Sequence, residues 1–264
     1  MWFRTGDSLA GPDVPGAVFR RGINEAGYVS GLYDLWDSVR NAHPGLIIDN
    51  CASGGRRHDL ETMSRSVPLW PTDFSCAHDD PAATQSMTMG LSRWLPVHGG
   101  AFLGVDPYAW RSVGIGTKNA DWGESGWQAM AASPHIQELM RNATAEAREL
   151  EAFAADEADF WPLTPITPDP SIWAAWELHR PHRDDGYVMY FRRANANATS
   201  FAVPWVGLSP RARYSLEYRA GYSATAEPKF VKGSALVVGR GLRVELPAAA
   251  SSLLIRFRPA HGEQ

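Results

Sequence analysis

The apolar pattern of the chain changes period once, across Asp159-Phe160-Trp161-Pro162-Leu163 and the prolines Pro165, Pro168 and Pro170 that follow. Ahead of this point, short apolar runs alternate with stretches whose apolar residues recur at spacings of three and four. Beyond it, the runs alternate with period two and no amphipathic helix pattern returns. A stripe of period 3.6 buries one face of a helix and a stripe of period two buries one face of a strand. The chain is therefore expected to be α/β over residues 1–158 and all-β over residues 159–264.

In the first part, Val29, Leu32, Trp36 and Val39 predict a helix over residues 24–42, with Asn24 as its cap and Pro44-Gly45 as its stop. Leu46-Ile47-Ile48 and Val67-Pro68-Leu69-Trp70 read as short strands buried on both faces. Asp59 is placed to cap a short helix between them. Asp80-Pro81 puts a capping side chain before a proline at the first helical position, and Ser133-Pro134 opens a long helix. Residues 99–104 and 113–117 read as further strands, and Ile136, Leu139, Met140, Ala143, Ala147, Leu150 and Phe153 line one face of a long helix. In the second part, the period-two runs are 172–178, 186–192, 200–205, 213–219, 236–246 and 253–257. Turn residues separate them, as in a small antiparallel β-sandwich.

Strand–helix alternation with polar residues at the strand ends is the layout of a (β/α)8 TIM barrel. Such a barrel takes about 250 residues. Residues 1–158 are thus expected to be a partial barrel, its later strands only. Each unburied inward side chain then forgoes about 1.5–3 kcal/mol, against about 5–15 kcal/mol for a whole domain, so this part is expected to be marginal alone.

Composition narrows the function classes. The formal net charge of -4, spread without a basic patch over 264 residues, argues against nucleic acid as a partner. No run of eighteen apolar residues is present, so no membrane partner or span is expected. The two cysteines, Cys51 and Cys76, form neither a disulfide framework nor a zinc motif. They suit a reducing, cytoplasmic compartment. The eleven tryptophans and eight tyrosines could serve a core or stack on sugar rings.

The densest chemistry is Cys51-Ala52-Ser53-Gly54-Gly55-Arg56-Arg57-His58-Asp59. Two glycines let a backbone approach a ligand closely, and Arg57 with Asp59 offers a donor fork beside an acceptor. Read by itself, the stretch is equally an ordinary βα turn with Asp59 as a cap. His58, His78 and His98 lack metal-ligand spacing and are expected to be exposed or hydrogen-bonded.

CASGGRRHDL followed by SVPLWPTD resembles the signature of the glycoside hydrolase family 36 α-galactosidases, a Cys-x-Ser-Gly-Gly-x-Arg-x-Asp loop ahead of a Trp-x-Ser-Asp strand end. The resemblance continues through Gly90-Leu91-Ser92-x-Trp94-Leu95-Pro96-x-His98-Gly99 and Asp106-Pro107-Tyr108-Ala109-x-Arg111-Ser112. It reaches Phe160-Trp161-Pro162-Leu163-Thr164 and Trp173-Ala174-Ala175-Trp176, and so covers most of the chain. It implies a retaining glycosidase acting on α-galactosides, which needs two carboxyls about 5–5.5 Å apart and no metal or organic cofactor. Asp73 matches the family's general acid/base, with Thr72 in place of the usual serine. Cys51, Ser53, Gly54, Gly55 and Arg57 match the sugar-contacting loop; Cys51 is as well explained as a small buried filler. Trp70 and Trp94 are both candidates to flank the sugar, with core packing the favoured role for Trp94. The implied partner is an oligosaccharide or glycoside, and a homo-oligomer is compatible with the sequence.

The family's nucleophile stands in a Lys-x-Asp-x-Asn strand end, or an Arg variant of it. Here Phe3-Arg4-Thr5-Gly6-Asp7-Ser8 is the counterpart. Without a gap, Arg4 takes the basic position and Gly6 the nucleophile's; a one-residue slip brings Asp7 into place. Two alternatives stand beside the hydrolase: a truncated, catalytically inactive relative that binds carbohydrate or self-associates, and a transglycosylase using the same residues.

Overall fold

The computed structural model describes residues 23–51, 54–74, 80–102, 104–116, 118–120, 123–224 and 227–260. The chain packs as two compact units, one of residues 1–52 and 56–68, the other of residues 53–55 and 69–264. No helix among the described residues is long and apolar enough to cross a membrane.

In the first unit, α1 (Ile23–Ala42) forms where the three-four spacing predicts it. Val29, Leu32, Trp36 and Val39 are half-buried, together with Tyr33 and Asp37. The helix begins one residue ahead of Asn24, which therefore lies inside it. Gly45, at φ +90°, turns the chain out of the helix. Asp59 caps α2 (Leu60–Met63) as expected. Arg65 joins the two helices: its Nε donates to both Asp37 carboxylate oxygens at 3.0 Å, its Nη1 to Glu61 at 2.8 Å. Its guanidinium also lies 4.7 Å from the Tyr33 ring centroid.

The two predicted buried strands of this region do not form. Asp49 and Val67 make a single parallel bridge, with Asn50 N–H donating to Val67 O at 2.8 Å and Val67 N–H to Ile48 O at 2.9 Å. Leu46 and Ile47 are 47% and 72% exposed. A continuous apolar run becomes a two-sided strand only where layers cover both faces, and the described residues of this unit supply no such cover.

The second unit is built on a six-stranded antiparallel sheet. Its strands are β3 (Asp159–Pro162), β4 (Ala174–Arg180), β5 (Asp185–Arg192), β7 (Arg213–Arg219), β8 (Lys229–Lys232) and β10 (Ser251–Pro259), in the order β3-β4-β5-β10-β7-β8. Period-two alternation sorts their side chains. Ala175, Val188, Tyr190, Tyr214, Leu216, Ile255 and Phe257 face a core closed by Trp205, Leu236, Val244 and Leu246. Over this face lie the antiparallel pair β6 (Ser200–Val203) and β9 (Leu242–Glu245). Trp176, Leu178, Tyr187, Met189, Phe191 and Leu254 face the other way.

That second face is covered by helices. Met89 comes from α3 (Pro81–Leu91), Tyr108 from α4 (Pro107–Ser112), and Leu150 and Phe153 from α6 (Pro134–Ala154). The unit is therefore three-layered, helices on one side of the sheet and a strand pair on the other. The predicted Asp80 cap holds, accepting from Ala83 N–H at 3.0 Å, and Ser133 caps α6 by accepting from Ile136 N–H at 3.3 Å. The buried face of α6 includes Ala143, Ala147, Leu150 and Phe153, on the predicted stripe.

Arginines lace the layers together. Arg111 of α4, 1% exposed, pairs bidentately with Glu146 of α6 at 2.7 Å and donates to Arg219 O, Gly221 O and Ser252 Oγ. Arg193 donates to Gln85 Oε1 of α3 at 2.8 Å and to Thr167 O and Asp169 O.

Other expectations are corrected. Residues 113–116 form a turn, with Gly114 and Gly116 at positive φ. The strand there is β2 (Lys118–Ala120), parallel to β1 (Gly100–Phe102). Residues 236–246 are not one strand. Leu236 closes the core from α7 (Gly233–Val237), and Gly239 and Gly241, at φ +67° and +70°, reverse the chain into β9. Trp94 is 76% exposed and not in the core: α3 stops at Leu91, and the tight turn after it carries the ring outward. The helices α4 and α5 (Gly123–Ala132) and the strands β3 and β8 are additional to the pattern read from sequence. The parallel pairing among described residues is limited to β1–β2 and the Asp49–Val67 bridge.

Candidate functional site

Asp73 lies in the second unit, at the bend that follows Trp70-Pro71-Thr72, and its side chain is exposed. Thr72 Oγ1 accepts from Phe74 N–H at 3.1 Å, a local turn that holds the backbone on either side of Asp73. Trp70 is half-buried.

The Gly54-Gly55 turn is packed against this bend. Gly54 has φ +64°, and a Cβ there would fall 2.6 Å from Asp73 N and 2.9 Å from Asp73 Cγ. Both the left-handed backbone and the contact exclude a side chain. Two motifs some twenty residues apart in sequence thus meet through a glycine. A second close approach sits beside them: a Cβ on Gly99 would lie 1.9 Å from Leu69 O. Next to Gly99, the buried His98 bonds Gly99 O through Nδ1 at 3.1 Å and Ser92 Oγ through Nε2 at 2.8 Å. This network assigns the proton to Nδ1. His98 is hydrogen-bonded as expected.

In the first unit, the remaining loop residues are held locally. Asn50 is 2% exposed and its Nδ2 donates to Arg57 O at 2.8 Å. Arg57 Nη2 donates to the Tyr28 hydroxyl at 3.1 Å. Asp59 is committed to its helix: Oδ1 accepts from Thr62 N–H at 2.9 Å and Oδ2 from Thr62 Oγ1 at 2.7 Å. The Thr62 N–H and hydroxyl hold its carboxyl below the usual aspartate range. The cap reading of Asp59 is the one that matches. Cys51 is exposed and forms no disulfide, which removes the buried-filler reading. Burial lowers the His58 imidazole below its ordinary value.

Sequence reasoning overlooked Asn50 and Tyr28. The signal for Asn50 was present, since a polar amide closing an apolar run is costly to bury without a partner. Tyr28 gave none, because nothing in its helix sets it apart. Arg4, Asp7, Ser53, Cys76 and His78 lie outside the described residues. Among the described residues, no three His, Cys, Asp or Glu side chains gather as metal ligands would.

No family model matches the chain. Curated proteins do. Alpha-galactosidase 1 of Pediococcus pentosaceus is 28% identical over 77% of this chain and 27% of its own length. The bifunctional alpha-galactosidase/sucrose kinase AgaSK of Mediterraneibacter gnavus is 28% identical over 75% of this chain and 22% of its own. A probable alpha-galactosidase C of Aspergillus oryzae is 26% identical over 76% of this chain. Among solved structures, the galactosidase domain of AgaSK superposes with TM-score 0.68 at 21% identity, over 88% of this chain and 31% of that one. The GH36 α-galactosidase AgaA of Geobacillus stearothermophilus, solved with raffinose, gives TM-score 0.65 at 19% identity, over 87% and 31%. The chain spans 27% of the length of the Pediococcus relative and 31% of the AgaSK galactosidase domain.

Proposed function

From a chain similar over most of its length to the glycoside hydrolase family 36 α-galactosidases, we propose the carboxyl part of a retaining α-galactosidase. Residues 1–158 contribute later strands of a partial (β/α) barrel, and residues 159–264 a terminal antiparallel domain. Asp73 is the general acid/base. It protonates the glycosidic oxygen as the nucleophilic carboxylate attacks the anomeric carbon, then takes a proton from the water that hydrolyses the glycosyl–enzyme ester.

The observation that carries this reading is the contact of Gly54 with Asp73. It joins the two motifs on which the family resemblance rests, and an exposed carboxyl beside a glycine turn is open to a sugar's leaving-group oxygen. Cys51, Ser53, Gly55 and Arg57 are assigned to sugar contact, Trp70 to flanking the ring, Asp7 to the nucleophile and Arg4 to its neighbour. The cysteine count keeps a reducing, cytoplasmic setting in the proposal.

The test is turnover of p-nitrophenyl α-galactoside and raffinose by the chain and by Asp73→Asn and Asp7→Asn. Loss of general acid catalysis is worth about 10²–10⁴-fold, and Asp73→Asn should lose that much on raffinose. Equal rates for Asp73→Asn and the unmutated chain would remove Asp73 from the chemistry. A second reading, a carbohydrate binder without catalysis, draws on the ungapped match that sets Gly6 at the nucleophile position. It predicts galactoside binding with no turnover by the unmutated chain.

A further inference from the structure

A cavity of about 320 Å³ opens in the second unit between the turn after α3 and the start of β3. Its lining includes Arg93, Trp94, Asp159, Phe160 and Trp161. Trp94 is 76% and Trp161 41% exposed. Two accessible indoles at one cavity are unusual for a unit whose other aromatics largely fill its cores. Its volume is at the lower end of the range of about 300–1,000 Å³ typical of ligand pockets.

The polar lining narrows the ligand. Arg93 and Asp159 make no side-chain hydrogen bond or ion pair among the described residues. Arg93 instead lies 5.8 Å from the Trp94 ring centroid. A donor fork and a free carboxylate thus flank two apolar ring faces. An anion would meet Asp159 and a cation would meet Arg93, while a purely apolar ligand would leave both charged groups desolvated. A neutral pyranose satisfies all of them, with a C–H face for an indole and vicinal hydroxyls that both donate and accept.

We propose that this cavity is an accessory saccharide site, separate from the Asp73 region, that takes one pyranose ring of an oligosaccharide. No described residue of the Cys51–Asp59 or Trp70–Asp73 stretches lines the cavity. That the saccharide is a galactoside rests on the proposed function; the site itself rests on its lining.

Raffinose titrated into ¹⁵N-labelled chain, read at the indole N–H resonances assigned with Trp94→Phe and Trp161→Phe, tests the proposal. The Trp94 and Trp161 signals should shift together and saturably. Asp159→Asn and Arg93→Ala, both exposed substitutions that spare the core, should each raise the apparent Kd about tenfold or more. Signals unmoved at millimolar raffinose would overturn the site, as would shifts that follow protein concentration alone, the mark of a second copy in the cavity. Turnover measured in the same samples separates the two readings. Turnover without these shifts overturns the accessory site and leaves the hydrolase; the shifts without turnover do the reverse.

Discussion

Gly54 is the residue at which backbone conformation and proposed chemistry meet. Its φ of +64° and its contact with Asp73 leave no room for a methyl group, and a left-handed non-glycine residue costs on the order of 1–3 kcal/mol. Gly54→Ala should displace Asp73 or the turn. The expected result is a fall in kcat/KM of about tenfold or more, with the sheet's near-UV signal retained; unchanged kinetics would show that the contact does not position Asp73. Asp59 makes the complementary point. Its two bonds to Thr62 are those of a helix cap, and loss of such a cap typically costs about 1 kcal/mol. A carboxyl inside the loop proposed to contact sugar can thus be structural while one fourteen residues later is proposed to do the chemistry.

At the scale of elements, β4 carries an acid in the wrong solvent. Glu177 is fully buried on the face that holds Ala175, its Oε2 accepting from Val206 N–H at 2.8 Å. Burial pushes its carboxyl up to about 8, against the Val206 N–H that lowers it, and its charge in turn raises the Tyr190 and Tyr214 hydroxyls of β5 and β7. The folded chain then binds a proton that the unfolded chain releases near the ordinary glutamate value. The resulting stability is full below the unfolded value and is lost as pH rises through about 8. Thermal midpoints should therefore fall between pH 5 and pH 8 for the unmutated chain and fall less for Glu177→Gln. Parallel pH profiles would contradict a protonated Glu177.

Elements whose signals are local were legible in the sequence. Asp80-Pro81 and Ser133-Pro134 announce helices through a cap and a proline that need no distant partner, and the period-two runs of β4, β5, β7 and β10 match their observed strands. Elements that depend on neighbours were not. Leu46-Ile47-Ile48 has the composition of a buried strand but one rung of pairing and an Ile47 that is 72% exposed. Trp94 looked like core because tryptophan usually is; the turn that follows Leu91 decides otherwise. Of the candidate site, the motifs were legible and the Gly54–Asp73 contact was not, since sequence spacing carries no distance.

For the molecule as a whole, the second unit's stability is expected to rest on its central sheet and on the Arg111–Glu146 pair that joins α4 to α6, with Arg111 also donating to β7 and β10. Breaking one partner of a buried pair costs about 3–5 kcal/mol. Glu146→Gln should lower the unit's denaturant midpoint accordingly, and a change below about 0.5 kcal/mol would mean the pair is dispensable. The galactosidase proposal concerns proteins several times longer than the region matched, so it has to be tested by chemistry. The most direct measurement is the leaving-group dependence of Asp73→Asn. A p-nitrophenolate leaves without a proton, whereas the sucrose of raffinose does not. If Asp73 is the acid/base, the variant should release a burst of p-nitrophenol from p-nitrophenyl α-galactoside and then slow, while its turnover of raffinose falls about 10²-fold or more. Equal losses on both substrates, or none on either, would contradict the account.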